Sequence, residues 1–173
     1  MIGLDRIHVY KGRTWVFGDN INTDLMYPHI CYTVPEEQRP LYTMWANRPD
    51  WARQVRHGDI LVAGKNFGLG SSRPAPENLR RLGISCVIAE SVNGLFFRNS
   101  VNFGLPVASC PGITAAVTEG DSITVDMDRG TVHASGRDLN FIPIPGFLFE
   151  IIDSGGIINV LLKKGLLDEN PVW

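Results

Sequence analysis

A ten-residue run, Gly64-Lys65-Asn66-Phe67-Gly68-Leu69-Gly70-Ser71-Ser72-Arg73, lies between a short apolar segment and a stretch that opens with prolines. Few folds accommodate such a run. The residues before it, Asp59-Ile60-Leu61-Val62-Ala63, read as a buried strand, and Pro74 to Leu82 reads as a helix whose prolines fall in the first turn, where they are tolerated. Gly83 then closes the helix. Strand, glycine-rich loop and helix in that order are the opening of a βαβ unit.

The following residues continue the alternation. Ile84 to Ala89 reads as a buried strand, Asn93 to Phe103 as a second helix stopped by Gly104, and Leu105 to Ala108 as another short strand. This order implies parallel pairing with right-handed crossovers. After Gly112 the pattern changes to short alternating strands, Ser122 to Met127 and Thr131 to Ala134, joined by Asp128-Arg129-Gly130. The expectation is an α/β fold with a mostly parallel core and a β-rich second half. Upstream, Gly12 to Phe17 reads as a strand, followed by the polar loop Gly18-Asp19-Asn20-Ile21-Asn22-Thr23-Asp24. Residues 27–56 carry four prolines and scattered aromatics, Tyr32, Tyr42, Trp45 and Trp51 among them. They predict short helices, one starting near Pro49-Asp50-Trp51-Ala52, in a lid or binding surface whose aromatics are candidates for partner contact. Asp153 to Lys164 predicts an amphipathic helix with Ile157, Ile158, Leu161 and Leu162 on one face, capped by Asp153 or Ser154.

At 173 residues, 44% hydrophobic and 20% charged, the chain has the size and composition of one folded domain spanning residues 1–173. Sixteen Lys and Arg against 18 Asp and Glu leave a net charge of -2. Without a basic stripe, nucleic acid is not an expected partner. No apolar run reaches the ~20 residues of a spanning helix. The first twelve residues lack the apolar middle of a signal peptide, which predicts a cytoplasmic location. Cys31, Cys86 and Cys110 are odd in number and widely separated, which fits neither a disulfide framework nor a zinc or iron–sulfur site in this chain. The four histidines are scattered, and only His29 lies near the polar loop.

Chemistry concentrates in the loop from residue 64 to 73. A glycine-rich turn that enters a helix directs backbone N–H groups and the helix dipole toward one spot, which favours an anion. Ser71 and Ser72 add hydroxyls, and the Arg73 fork matches a carboxylate. Phosphate is the competing ligand, but Lys65 precedes the last glycines, unlike the nucleotide-binding G-x-x-x-x-G-K-[ST] order. From spacing alone, a tight strand-to-helix connection with a capping serine remains the alternative.

The string Gly-Lys-Asn-Phe-Gly-Leu-Gly-Ser-Ser-Arg occurs together with the earlier Gly18 to Asp24 loop and the later Val87-Ile88-Ala89-Glu90-Ser91 and Phe96-Phe97-Arg98-Asn99. In order and spacing these resemble the small subunits of isopropylmalate isomerase and homoaconitase, a family that also matches the swivelling C-terminal domain of aconitase. The resemblance runs from about residue 12 to 164. It implies a single-domain swivelling β/β/α fold with a flexible specificity loop at about 27–56. It also implies a hydro-lyase subunit that works with a cluster-bearing large subunit, in a heterodimer or heterotetramer. The [4Fe–4S] cluster is expected on that partner, with its iron as Lewis acid. In isolation the chain is expected to be able to self-associate.

Residue by residue, the resemblance makes Ser71 the base that removes a proton alpha to a carboxylate, and Arg73 the holder of a substrate carboxylate, assisted by Ser72 and the backbone at Gly70. It makes Asp24 the partner of a large-subunit histidine. The specificity stretch falls on Cys31-Tyr32-Thr33-Val34, with Thr33 at the deciding position. Lacking an arginine there, the site is expected to prefer an alkyl-substituted malate over a substrate with a third carboxylate, as in homocitrate. Dimethylmalate and citraconate are further candidates, and a non-catalytic carboxylate-binding assembly subunit is the competing class. The chain departs from the family pattern at Leu69, where a cysteine is common, and at Pro74-Ala75, which replaces Glu-His or Glu-Gln.

Overall fold

Eight residues at the start of the fold serve two halves of one sheet at once. In the structure, a computed structural model that describes residues 8–71 and 73–168, β1 (Val9–Val16) pairs parallel to β2 (Ile60–Ala63) through Thr14 to Val16. Its earlier residues, Val9 to Arg13, pair antiparallel with a later strand. Between β1 and β2 lie α1 (Thr23–Met26), two 3₁₀ turns (His29–Tyr32 and Glu36–Tyr42) and α2 (Trp51–Gln54). Then follow α3 (Ala75–Leu82), β3 (Cys86–Ala89), α4 (Gly94–Asn102), β4 (Val107–Ser109) and α5 (Ile113–Ala116). The chain continues with β5 (Ser122–Asp126), β6 (Thr131–Ala134), β7 (Arg137–Asn140), α6 (Phe149–Asp153) and α7 (Ile157–Lys163). The seven-stranded sheet has the order β4-β3-β2-β1-β5-β6-β7, parallel from β1 through β4 and antiparallel from β1 through β7. The expected parallel core and β-rich second half are both present.

The two-residue period of a strand sends alternate side chains to opposite faces of the sheet. Leu61, Ala63, Val87, Ala89 and Val107 join one core with Trp15, Phe17, Trp51, Phe67 and Leu79. Ile60, Val62, Cys86, Ile88 and Ala108 join the other, under Ile123, Val125, Val132, Phe149 and Ile152. β2 and β3 are fully buried, as parallel strands covered on both faces must be. Residues 27–56 belong to the first core: Tyr27, Cys31, Met44 and Trp51 are buried. Trp51 is therefore a core residue and not a partner-contact residue, whereas Tyr32 and Trp45 are exposed.

The C-terminal helix is shorter than its periodicity predicts. Phe149 to Asp153 forms a separate helix, and α7 begins only at Ile157, with Gly156 as its N-cap and no side-chain cap from Asp153 or Ser154. The break lies at Gly155 and Gly156, with φ of +78° and +122°. These values are open to glycine and costly for other residues. Gly156 abuts the end of α4, where a Cβ on it would come 2.5 Å from the Asn102 carbonyl oxygen, and Gly155 lies against Gly104 just beyond. Val160 is the buried residue of α7, while Ile158 is exposed.

Two polar anchors tie β1 to its surroundings. Asp59, 4% exposed, accepts from Arg13 Nη2 and Trp15 Nε1, both at 2.7 Å, and from the Arg56 N–H at 2.9 Å. Burial would push its carboxyl up, but the Arg13 hydrogen bond and the two further donors hold it below the usual range. At the other end, His8 stacks on Phe149 and bonds Asp128 at 2.7 Å and Asp153 at 3.3 Å. Burial pulls the imidazole down, and the hydrogen bonds and charges of the two carboxylates outweigh it, so the net shift is upward.

Two outcomes follow from these contacts. Because a Cβ on Gly68 would fall on the Phe96 ring and φ there is +80°, Gly68→Ala should lower unfolding free energy by about 3 kcal/mol in urea titration. A raised His8 pKa stabilises the fold fully below about pH 6.5, and that contribution disappears as pH rises through the folded-state value. The stability advantage of the wild type over His8→Gln should therefore shrink from pH 6 toward pH 8 in thermal melts.

Candidate functional site at the ends of the parallel strands

Three loops leave the same end of β1, β2 and β3 and are stapled to one another. The Asn20 N–H donates to the Lys65 carbonyl at 2.8 Å, Gly68 N–H to Ile21 at 2.8 Å, and Thr23 N–H to Leu69 at 2.8 Å. On the other side, Phe67 N–H donates to Ser91 at 3.0 Å and Asn93 N–H to Phe67 at 2.8 Å. Asp19 accepts from the Lys65 N–H at 2.7 Å, and the Ser91 hydroxyl accepts from the Asn66 N–H at 2.9 Å. A parallel sheet opens its binding crevice at the carboxyl ends of its strands, and the stapled loops form the floor there.

This bracing corrects one expectation. The N–H groups of Gly64 to Gly68 are already bonded to neighbouring loops, so they do not converge on an anion. Pro74 and Pro76 remove two further donors at the start of α3. The positive potential comes instead from Arg73.

The Arg73 guanidinium is held on every nitrogen. Nη2 is 2.8 Å from Asp24 Oδ1, Nη1 donates to the Tyr27 carbonyl at 2.9 Å, and Nε lies 3.4 Å from Ser71 Oγ. Its Cζ sits 5.7 Å from the centre of the Tyr32 ring, within the range of a cation–π contact. Thus Asp24 from the first loop, Ser71 and Arg73 from the second, and Tyr32 from the 3₁₀ turn meet at one place. Ser71 and Asp24 are exposed there. Ser72 lies outside the described residues. Gly70 has φ +105°, and a Cβ on it would come 2.9 Å from Thr23 Oγ1, so only glycine lets the loop pass so close to α1.

The specificity stretch divides by direction. Cys31 is buried, with Sγ 3.7 Å from the Arg39 carbonyl, and so does not contribute a surface. Thr33 is exposed and returns its hydroxyl to the Ile30 carbonyl at 2.9 Å. Tyr32 is 55% exposed and packs edge-on against Tyr27. His29 is exposed, 6.1 Å from Tyr32 by ring centres, on the rim of an apolar hollow of about 540 Å³ shared with Pro28, Ile30, Trp45, Ala46 and Pro49.

At the departure from the family pattern, Ala75 is buried in the core and Pro74 is half-buried at the N-cap of α3. Ala75 therefore packs inward. Asn99 was visible only as part of a motif. Its Nδ2 donates to the Arg73 carbonyl at 2.8 Å, fixing the arginine's backbone from α4, a role that needs the fold to be seen.

The chain's own thiols do not fit an iron–sulfur cluster. Cys31 belongs to one core, Cys86 and Cys110 to the other. Burial pushes them up to about 11, 12 and 11 respectively, far from the thiolates a cluster requires. Among the described residues no group of three or more His, Cys, Asp or Glu side chains could hold a metal ion, and no helix is long and apolar enough to cross a membrane.

Comparison with known proteins places the chain in a family. The aconitase C-terminal domain family matches residues 16–109. The isopropylmalate/citramalate isomerase small subunit of Methanocaldococcus jannaschii is 44% identical over 161 residues, covering 90% of this chain and 95% of the relative. The 3-isopropylmalate dehydratase small subunit of Nautilia profundicola is 43% identical over 168 residues, covering 95% and 99%. A crystal structure of a 3-isopropylmalate dehydratase from Methanocaldococcus jannaschii superposes with a TM-score of 0.82 at 31% identity, over 91% of this chain and 96% of that one. The chain belongs to the aconitase C-terminal domain family, among the small subunits of 3-isopropylmalate dehydratase.

Proposed function

We propose that this chain is the small subunit of a heteromeric hydro-lyase that isomerises an alkyl-substituted malate of the 3-isopropylmalate type, acting in the cytoplasm in leucine biosynthesis. The observation that carries the reading is the meeting of Ser71, Arg73 and Asp24 on one exposed edge. A hydroxyl, a guanidinium and a carboxylate open to one side suit a surface that a second chain completes.

Arg73 holds a substrate carboxylate. A carboxylate on its Nε–Nη2 edge lies beside Ser71 Oγ, which is 3.4 Å from Nε, and brings the proton alpha to that carboxylate within reach of the hydroxyl. Ser71 as an oxyanion then accepts the proton, and the neighbouring guanidinium stabilises its charge once the partner excludes water. As the carbon loses its proton, charge spreads onto the carboxylate, so the Arg73 contact strengthens in the transition state. Asp24 faces the partner, where a large-subunit histidine is its counterpart. The [4Fe–4S] cluster of the large subunit would supply the Lewis acid for the departing hydroxyl, and among the described residues no group could hold it.

Substrate choice rests on Thr33. Its hydroxyl donates to the Ile30 carbonyl one turn back, and the stretch brings no cation to meet a third carboxylate. The name of one relative includes citramalate as well as isopropylmalate, and both carry alkyl groups where homocitrate carries a carboxylate arm. Dimethylmalate and citraconate are runner-up substrates on the same grounds.

In the complex reconstituted with the large subunit, Ser71→Ala should lower kcat by roughly 10²–10⁴-fold, the usual contribution of a positioned base, while gel filtration shows unchanged assembly. Unaltered turnover would instead identify a carboxylate-binding assembly subunit. Assayed side by side, 3-isopropylmalate should be turned over well, dimethylmalate and citramalate detectably, and homocitrate poorly; a preference for homocitrate would overturn the role of Thr33.

A further inference from the structure

We propose that Asp24 is the resident occupant of the carboxylate seat on Arg73, and that substrate binding is an exchange in which an incoming carboxylate displaces it. This rests on the reading of Arg73 as a carboxylate holder and deepens it. The sequence gives no hint of the pairing, because Asp24 and Arg73 lie on separate loops and each has a role without the other.

The three acceptors around the guanidinium differ in kind. The Tyr27 carbonyl on Nη1 is backbone, and the Arg73 carbonyl is itself anchored by Asn99. The Ser71 contact on Nε belongs to the arginine's own loop. The Tyr27 and Ser71 contacts and the Asn99 brace all survive removal of the Asp24 carboxylate, so the fork stays in place without it. What Asp24 alone fills is Nη2, at 2.8 Å, the position that a substrate carboxylate spanning Nε and Nη2 must take.

The pair is also weak enough to exchange. Asp24 is 63% exposed and Arg73 26%, and an ion pair so open to water changes an equilibrium by about fivefold at most. A buried pair would be a lock, whereas this one gives way to a ligand that brings a second contact. Release needs no backbone movement. The Thr23 N–H remains bonded to Leu69 and the Asn22 side chain still caps the turn through the Leu25 N–H, so rotation of the Asp24 side chain suffices. The freed carboxylate then points from the exposed edge, available to a cationic group of the large subunit. Asp24 is in this sense a positioning residue that couples substrate entry to partner contact.

The test uses the isolated chain and malate as probe, at low ionic strength, followed by the Arg73 Nε–H resonance. In Asp24→Ala the ligand-free resonance should shift, and malate should bind about fivefold more tightly than in the wild type. Asp24→Asn, which keeps the shape, should give a similar gain and covers the case in which the alanine variant folds poorly. Asp24→Glu should return to wild-type affinity, and the gain should shrink in high salt. Malate binding that is unchanged or weaker in Asp24→Ala and Asp24→Asn, yet abolished by Arg73→Ala, would overturn the exchange and leave the carboxylate-holding role intact. Binding that survives Arg73→Ala would overturn both.

Discussion

The stapling of three loops at one end of the sheet is the constraint on which the rest depends. Asp19, Asn20, Ile21 and Thr23 on the first loop, Lys65 to Leu69 on the second, and Ser91 and Asn93 on the third share one continuous set of hydrogen bonds. Each such bond contributes only about 1 kcal/mol net. Together they determine where residues 70–73 emerge, because every path from β2 to α3 must pass through them. Gly64 shows how closely the parts fit: a Cβ there would meet the Asp19 carboxylate and come 2.8 Å from its N–H.

The same bonds decide what kind of anion site this is. A phosphate loop keeps its backbone N–H groups free for the ligand. Here Gly64 to Gly68 have spent theirs on the neighbouring loops, and prolines thin out the first turn of α3. A loop that looks alike in composition therefore works differently, as a rigid arm that presents a serine and an arginine. Rigidity suits the proposed chemistry, since a base that is misplaced by an ångström loses most of its effect.

What could be read from the sequence follows from range. β2, β3, β6, α3 and α4 are coded by local patterns, namely buried apolar runs, first-turn prolines and closing glycines, and lie close to where those patterns place them. β7 escaped because Arg137 to Asn140 is largely exposed and has no apolar alternation; only its pairing with β6 makes it a strand. The periodicity of Ile157 to Leu162 misplaces the start of α7, because it says nothing of the close approach to the end of α4 that demands Gly156. At the site, residue types and spacing pointed to Ser71 and Arg73. The Asp24 pairing, the Asn99 brace and the inward turn of Cys31 are tertiary facts that no local pattern encodes.

The exposure of the site explains why such a subunit is made as half of an enzyme. Two unit charges 4 Å apart interact by about 1 kcal/mol in water and about 4 kcal/mol at the effective dielectric of a protein surface. With Asp24 and Ser71 open to solvent, water screens Arg73 in the chain alone, and its hold on an acid is correspondingly weak. A covering partner would change no distance within the stapled loops, yet it would strengthen each contact by excluding water. On the proposed reading, a serine base that is inert until covered has a further merit, since it is not lost to solvent protons or stray acids in the free subunit. The physical logic of the division is that one chain supplies fixed geometry and the other supplies the dielectric in which that geometry becomes reactive.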